Sequence, residues 1–350
     1  MKLSSYCASL AVFLFAATFS LATTYPSVQA LTEDSLESVS INFLENVAGF
    51  NMTIYNVESF ETFTARSWDQ HLETHVHIIL KNGDEQIDVH LTFVDGAFWS
   101  YDISLPPDQT LLGSEKSLSD YLILAKRAVQ NFGALVNLTW CEDYANMISE
   151  NIAGDSTIEN QNAILEVVYN ENCSTQLDTL RYVKFRWFDK KDNFTIPRLS
   201  LALSKTGLVT TFLRNLCYVA TTEVDISEEE AISIARSYAE SYAAKHNLNI
   251  VSVNATLKLE RDWKWTRGSD NYAMYPGWLV FFTFDRVENG VIGYSVLIWA
   301  DSGTVYDYGP QGFYTDGKAD APLSGTVGLI VAAILSSIIA VQLMLRKRGK

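Results

Sequence analysis

The sequence lacks the short motifs that mark the commonest catalytic sites. It contains no glycine-rich phosphate loop, no GxSxG nucleophile elbow and no HExxH zinc motif. The acidic run Glu228-Glu229-Glu230 is better explained as negative charge in the first turn of a helix than as an acid–base pair. We therefore expect a protein that is not an enzyme, and an enzyme of unrecognised type is the least favoured alternative.

Basic residues are scarce. The chain has 26 lysines and arginines against 41 aspartates and glutamates, which gives a formal net charge of −15. Every acidic residue lies between two apolar segments near the ends of the chain, so the part between them is more acidic than the whole. An acidic surface repels phosphate backbones, and we expect no nucleic-acid partner. It suits solubility in an outward-facing protein, a cation-rich medium or a basic partner.

Cysteine is also rare, with four in the chain. Cys7 lies in the N-terminal apolar segment, which leaves Cys141, Cys173 and Cys217. An odd number allows one disulfide and one thiol, or an intermolecular bond. We favour the pair Cys141–Cys173, because these residues flank a segment that is inserted in the second of the three units described below. No CxxC or Cys/His spacing indicates a zinc or redox site.

Two apolar segments predict the membrane topology. Residues 1–30 combine Lys2, an apolar run and a Val28-Gln29-Ala30 ending, which is typical of a cleaved signal peptide; a retained first membrane helix is the alternative. Residues 326–345 are apolar and uncharged, and about 20 residues at about 1.5 Å each match a hydrocarbon core of roughly 30 Å. The basic tail 346–350 then predicts a single-pass type I protein with most of the chain extracellular.

Five N-glycosylation sequons lie in the part of the chain that we place outside the cell. Their presence agrees with a surface glycoprotein. The acceptor residues are Asn51, Asn137, Asn172, Asn193 and Asn254.

Helix and turn signals divide the predicted ectodomain into three α+β units. In the third unit, Ser227 and Glu230 predict a capping box that opens a helix over 227–246. Strands over 277–284 and 293–300 follow it, which predicts one helix against an antiparallel sheet. In the second unit, Gly133 is expected to stop the helix. The segments are a signal peptide (1–30), the first unit (31–105), the second unit with its insertion (106–220), the third unit (221–315), a juxtamembrane linker (316–325), the membrane helix (326–345) and the cytoplasmic tail (346–350).

The three units share turn positions and an alternating pattern. Residues 185–212 align without a gap on residues 281–308, which brings Gly207 onto Gly303. This alignment favours a repeated structural unit. The alternative is that any two meanders with similar turns align in this way. The sequence leaves open whether the units share one sheet, and it leaves the oligomeric state open.

The third unit resembles the PepSY family of small extracytoplasmic domains. The matching residues are Ile226-Ser227, Glu230-Ala231, Ala235, the run 275–280 and the turn Asp301-Ser302-Gly303-Thr304-Val305. The resemblance covers this unit well and the first two loosely. It implies a helix-on-sheet fold and interaction with an envelope protein, including an inhibitory role toward a peptidase. We therefore expect a non-catalytic protein, anchored by its C-terminal helix, that binds or modulates such a partner.

A histidine set in the first unit gives the second functional hypothesis, a surface metal-binding protein. A hairpin turn at Asn82-Gly83 predicts that His75 faces His90 and that His77 faces Asp88, with all four on one face of the sheet. Neutral imidazole suits zinc and copper, and no other cofactor is expected. The alternative is that these are ordinary polar residues on the wet face of a half-buried sheet.

A group of aromatic and basic residues precedes the third sheet. Aromatic rings interleaved with cations can form a platform for a glycan or a peptide, since Arg stacks on Trp. The alternative is a long loop packed over the sheet. The group comprises Trp263, Trp265, Tyr272, Tyr275 and Trp278 with Arg261, Lys264 and Arg267.

The metal hypothesis predicts that the purified ectodomain retains zinc or copper after dialysis. Substitution His90→Ala removes one imidazole ligand and is expected to abolish this retention. Elemental analysis of the dialysed protein measures the metal content. Equal metal content in the variant and the parent protein would contradict the hypothesis.

Overall fold

The computed structural model describes residues 33–67, 71–106, 111, 113–170, 180–264, 266–267, 270 and 272–312, and the fold is α+β. The helices are α1 (Glu33–Phe43), followed by a π-helical turn (Leu44–Ala48), α2 (Leu118–Val136), α3 (Trp140–Met147) and α4 (Glu228–Lys245). The strands are β1 (Asn56–Arg66), β2 (Leu72–Asn82), β3 (Glu85–Val94), β4 (Ala97–Ser104), β5 (Ser156–Glu159), β6 (Ala163–Tyr169), β7 (Val183–Lys191), β8 (Phe194–Leu203), β9 (Val209–Arg214), β10 (Tyr218–Val219), β11 (Ile250–Arg261), β12 (Ala273–Glu288), β13 (Val291–Trp299) and β14 (Val305–Gly312).

These elements form two compact bodies. Of the described residues, body 1 comprises those up to 190 together with 195–216, and body 2 comprises 191–194 together with those from 217 to 312. One sheet has nine strands in the order β1-β2-β3-β4-β9-β8-β7-β6-β5. The sheet of body 2 has five strands in the order β10-β12-β13-β14, with β11 paired to β12.

The starts of two helices follow from local capping. Ser117 and Asp120 form a capping box at α2, and Ser227 and Glu230 form the predicted one at α4. The prediction that Gly133 ends α2 is wrong, because α2 continues to Val136 and the left-handed cap is Asn137. Gly133 instead allows a close approach to the start of α3. A Cβ atom at this position would lie 2.6 Å from the Cβ of Cys141.

The core of body 1 lies where β4 pairs with β9. Phe43 of α1 packs within 4.7 Å of Phe98 and 4.8 Å of Tyr101, measured between ring centroids. Phe132 of α2 and Phe212 of β9 complete the cluster, with their centroids 4.5 Å apart. The Tyr101 hydroxyl donates a hydrogen bond across the pairing to the carbonyl oxygen of Val209, at 3.0 Å. β4 is the last strand of the first predicted unit, and β9 ends the meander of the second. The first and second units therefore share one sheet and one core.

The last strand of each meander has the same local geometry. Each of β4, β9 and β14 follows a glycine with positive φ, which is 77° at Gly96, 86° at Gly207 and 68° at Gly303. In each strand the pairing with the preceding strand skips the residue three positions after that glycine. The skipped residues are Trp99, Thr210 and Tyr306. β4, β9 and β14 thus share a bulge at the same position.

Small residues of α4 build the core of body 2. Ala231, Ala235, Ala239 and Ala243 recur every four residues and are buried against one face of the sheet. That face carries Val280, Phe282, Phe284, Tyr294, Val296 and Ile298. The alanines let the helix backbone lie close to the large side chains of the strands.

The prediction of three tandem units is not confirmed, since the first two form a single body. Within the described residues, no helix is both long and apolar enough to cross a membrane. The predicted signal peptide (1–30) and membrane helix (326–345) lie outside the residues that the structure describes.

Substitution Phe43→Ala should destabilise body 1 strongly, because Phe43 is fully buried between β4, β9 and α2. A cavity of this kind lowers the free energy of unfolding by about 3–5 kcal/mol. The matched control is Phe63→Ala on β1, where the side chain is 66% exposed and the change should stay within about 0.5 kcal/mol. Urea unfolding measures both variants, and similar losses would contradict the proposed role of the cluster.

Candidate functional site

The face of the body 2 sheet that points away from α4 carries a second apolar cluster. Side chains alternate along β13, so that Val296 and Ile298 face α4 while Leu297 and Trp299 face the other side. Leu279 and Tyr306 join Leu297 and Trp299 there. Residues from the segment between β11 and β12 pack over this cluster.

Arg267 forms the centre of the site. Its guanidinium lies 4.7 Å from the ring centroid of Tyr275 and 4.6 Å from that of Trp299. The same group donates two hydrogen bonds to the carboxylate of Asp301, one of them at 2.6 Å, and a third to the Ser302 hydroxyl at 3.3 Å. The side chains of Arg267 and Asp301 are each 17% exposed. A planar, two-point ion pair of this kind fixes the orientation of the guanidinium.

The segment that carries Arg267 is held by buried polar contacts. Asp262 is 4% exposed, and its carboxylate accepts hydrogen bonds from the Thr266 hydroxyl and from the backbone N–H of Arg267. The Tyr306 hydroxyl donates to the carbonyl oxygen of Arg261 at 2.8 Å and accepts from the N–H of Trp263 at 3.0 Å. Burial raises the pKa of Tyr306 well above its ordinary value, which keeps this hydroxyl a donor. The position of Arg267 is therefore set before any ligand arrives.

A second cation lies beside the first. The Nζ atom of Lys264 is 2.5 Å from the carboxylate of Asp307 and lies over the rings of Trp263 and Tyr306, at 5.0 and 5.6 Å from their centroids. Each cation of the site is thus matched by one carboxylate. The buried carboxylate of Asp262 adds a third negative charge, so this cluster carries two cations and three carboxylates.

A cleft of about 430 Å³ opens beside Arg267. Its walls combine two aromatic rings, one guanidinium and four hydroxyl groups, one of them that of Tyr275. These groups can donate hydrogen bonds to a polar ligand, and the hydroxyl groups can also accept them. The lining residues are Thr266, Arg267, Tyr275, Trp299, Ser302 and Thr304.

The structure brings together part of the predicted aromatic and basic group. Four members meet on one face of the sheet: Trp263, Lys264, Arg267 and Tyr275. The loop that carries the first three packs over the sheet, which is the alternative stated in the sequence analysis. Trp278 lies on the other face, where its indole N–H donates to the carbonyl oxygen of Ile226 at 3.1 Å. Trp265 lies outside the described residues.

Sequence reasoning missed Trp299, Asp301 and Tyr306 as members of the site. The alternation of β13 places Trp299 on the face away from α4, and this signal was available in the sequence. The pairing of Asp301 with Arg267 joins residues 34 apart and has no local signal.

The histidine set lies on the exposed face of β2 and β3, but in a different register from the predicted one. The hairpin loop is Gly83-Asp84, so that Asn82 pairs with Glu85. His77 therefore faces His90, while His75 faces Thr92 and Asp88 faces Ile79. The predicted pairs His75–His90 and His77–Asp88 are wrong, although a slip of two residues keeps all four side chains on the predicted face.

The histidine side chains do not converge. The rings of His77 and His90 stack at 4.7 Å with an interplanar angle of 9°, which directs their nitrogen lone pairs in parallel planes. His77 Nε2 lies 3.9 Å from Asp88, and His75 Nδ1 lies 3.3 Å from the hydroxyl of Thr92. Among the residues that the structure describes, no three His, Cys, Asp or Glu side chains form a group that could hold a metal ion. The zinc or copper site stays a prediction.

The predicted modification sites are partly described. Cys141 is a buried thiol, and burial raises its pKa to about 12; its predicted partner, Cys173, lies outside the described residues. Asn172 also lies outside them. The remaining sequon asparagines are exposed, as a glycan requires: Asn51, Asn137, Asn193 and Asn254.

The Arg267–Asp301 pair predicts a specific pH dependence. Hydrogen bonds from Arg267 hold the pKa of Asp301 below its ordinary value. A carboxylate of this kind stabilises the fold above its unfolded pKa, and the contribution is lost as the pH falls through the lower folded pKa. We expect Asp301→Asn to lower the free energy of unfolding near neutral pH. Below about pH 4, the free energy of unfolding should fall less steeply in the variant than in the parent protein.

Urea unfolding across this acidic range measures the effect. The control is Asp84→Asn, which changes an exposed carboxylate in the β2–β3 turn. An Asp301→Asn profile parallel to that of the parent protein would contradict the assignment.

Comparisons with known proteins give matches among solved structures alone. No family model matches the chain, and no curated protein matches it. Among solved structures, the chain is similar to the Bacillus megaterium YpeB C-terminal domain, with 12% identity and a TM-score of 0.31, over 81% of this chain and 98% of that one. A similarity of this degree carries no argument about function.

Proposed function

We propose that this chain is a non-catalytic, membrane-anchored extracytoplasmic protein that binds an envelope protein through the cleft beside Arg267. The partner class includes peptidases. The observation that carries the proposal is the rigid group of Arg267, Tyr275 and Trp299 at the mouth of an open cleft. The PepSY-like resemblance of the sequence around Asp301 supports it.

The composition of the cleft favours a polypeptide ligand. Tyr, Trp and Arg are the residue types that dominate the binding energy of protein interfaces. Arg267 is already oriented by Asp301 and by stacking on two rings. Its side chain therefore loses little conformational entropy when a ligand binds. Because Asp301 neutralises the guanidinium, the cleft suits the uncharged backbone and side chains of a peptide segment better than a highly charged ligand.

The localisation rests on the sequence. The signal peptide (1–30), the apolar segment 326–345 and the basic tail (346–350) together define a type I anchor. The exposed sequon asparagines are compatible with glycosylation of the outward-facing part.

We also propose that the ectodomain contains three related PepSY-like units, two of them fused in body 1. The shared glycine and bulge that open β4, β9 and β14 support this relationship. In each case a helix precedes the meander that ends in the bulged strand.

Substitution Ser302→Trp tests the proposed cleft, because an indole at its rim would block entry while leaving the buried core unchanged. The matched control is Ser237→Trp on the exposed face of α4. Full-length protein is expressed in membranes, and partner capture is quantified after cross-linking. We expect capture to be lost with Ser302→Trp and kept with Ser237→Trp.

Two outcomes would contradict the proposal. Equal capture by both variants would show that the cleft is not the binding site. Loss of capture on removing the chain from Pro322 onward, with no effect of Ser302→Trp, would show that the anchor alone associates with the partner.

A further inference from the structure

The outer edge of the body 2 sheet is formed by β14. Among the described residues, no strand pairs with the side of β14 that faces away from β13. Tyr308 lies at the middle of this strand and is 57% exposed, although its ring contacts Tyr238 of α4 at 4.9 Å between centroids. A sheet edge with an exposed aromatic residue is a template for pairing with another strand.

The residues that correspond to Tyr308 in body 1 are fully buried. Tyr308 lies five positions after the left-handed Gly303, and Tyr101 and Phe212 lie five positions after Gly96 and Gly207. Tyr101 is 1% exposed and Phe212 is 0% exposed. The difference comes from pairing, since β4 and β9 pair with each other along the edge that β14 leaves open.

The pairing of β4 with β9 is centred on these two positions. Tyr101 pairs with Phe212, and the flanking pairs are Ser100 with Leu213 and Asp102 with Thr211. Counted from the glycines, the fifth position of one strand faces the fifth position of the other. An antiparallel pairing of equivalent positions has the geometry of a twofold axis.

We propose that β14 pairs in the same way with β14 of a second copy of this chain. Tyr308 would face Tyr308 of the second copy, and Asp307 would face Gly309 of the second copy. The dimer would have a continuous ten-stranded sheet. This inference is independent of the proposed function, because the pairing uses the backbone edge of β14 and the cleft beside Arg267 is lined by residues outside β14.

The sequence of β14 suits this self-pairing. Asp307 lies opposite a glycine and forms an ion pair with Lys264 of its own chain, so no like charges face each other. A Cβ atom at Gly309 would meet nothing within 4 Å, which leaves room for an approaching strand. Pro310 lacks a backbone N–H and follows the third paired position, so it limits the pairing to the length seen between β4 and β9.

Cysteine cross-linking of the full-length protein in membranes tests the proposal. Residues directly opposite on paired strands have Cβ atoms about 4.5–5.5 Å apart, within reach of a short thiol-specific cross-linker. We expect Tyr308→Cys to give a covalent dimer. The matched control is Val251→Cys on β11, which is 60% exposed at the opposite edge of the same sheet. Equal or greater cross-linking at Val251 would overturn the proposal.

A second pair of variants tests the dimer without cross-linking. Tyr308→Asp places two carboxylates opposite each other and should abolish the dimer, whereas Tyr308→Phe keeps the ring and should retain it. Sedimentation of the detergent-solubilised full chain over a range of concentrations measures the association, and circular dichroism checks that both variants fold. A parent protein that stays monomeric, or a dimer that persists in folded Tyr308→Asp, would overturn the proposal.

Discussion

Burial of aromatic rings across the β4–β9 pairing is the interaction on which body 1 depends. Phe43 and Phe98 come from the first half of this body, and Phe132 and Phe212 come from the second. Each such ring contributes about 1.5–3 kcal/mol when it leaves water. The direct pairing of β4 with β9 extends over three residue pairs, so the rings and the helices above them hold the two halves together. Neither half has a complete core alone.

Body 2 uses its two sheet faces differently. The small residues of α4 close one face with a tightly packed core. The other face holds its apolar residues under the segment between β11 and β12, in which Arg267 is stacked and paired. Under the proposed function, this division separates stability from recognition. The helix side fixes the sheet, and the loop side presents oriented polar groups at an open cleft.

Features that depend on neighbouring residues could be predicted from the sequence. Features that depend on contacts between distant residues could not. The capping boxes at Ser117 and Ser227 each involve residues three apart, and the one at Ser227 forms as predicted. The histidine hairpin offers two adjacent two-residue loops that both contain Gly83. The structure uses Gly83-Asp84 and not Asn82-Gly83, so that the predicted face was right and the predicted partners were wrong. The site itself joins Arg267 to Asp301 across two strands, which periodicity cannot show.

The pairing of β4 with β9 also has a consequence for how the chain matures. The hydrogen bond from Tyr101 to Val209 joins residues 108 apart, so β4 leaves the ribosome long before its neighbour exists. During that time an apolar strand edge has no neighbour, and exposed edges of this kind promote aggregation. We therefore expect a nascent chain that lacks β9 to be prone to aggregation, and a chaperone that covers unpaired strand edges to raise the yield of native molecules.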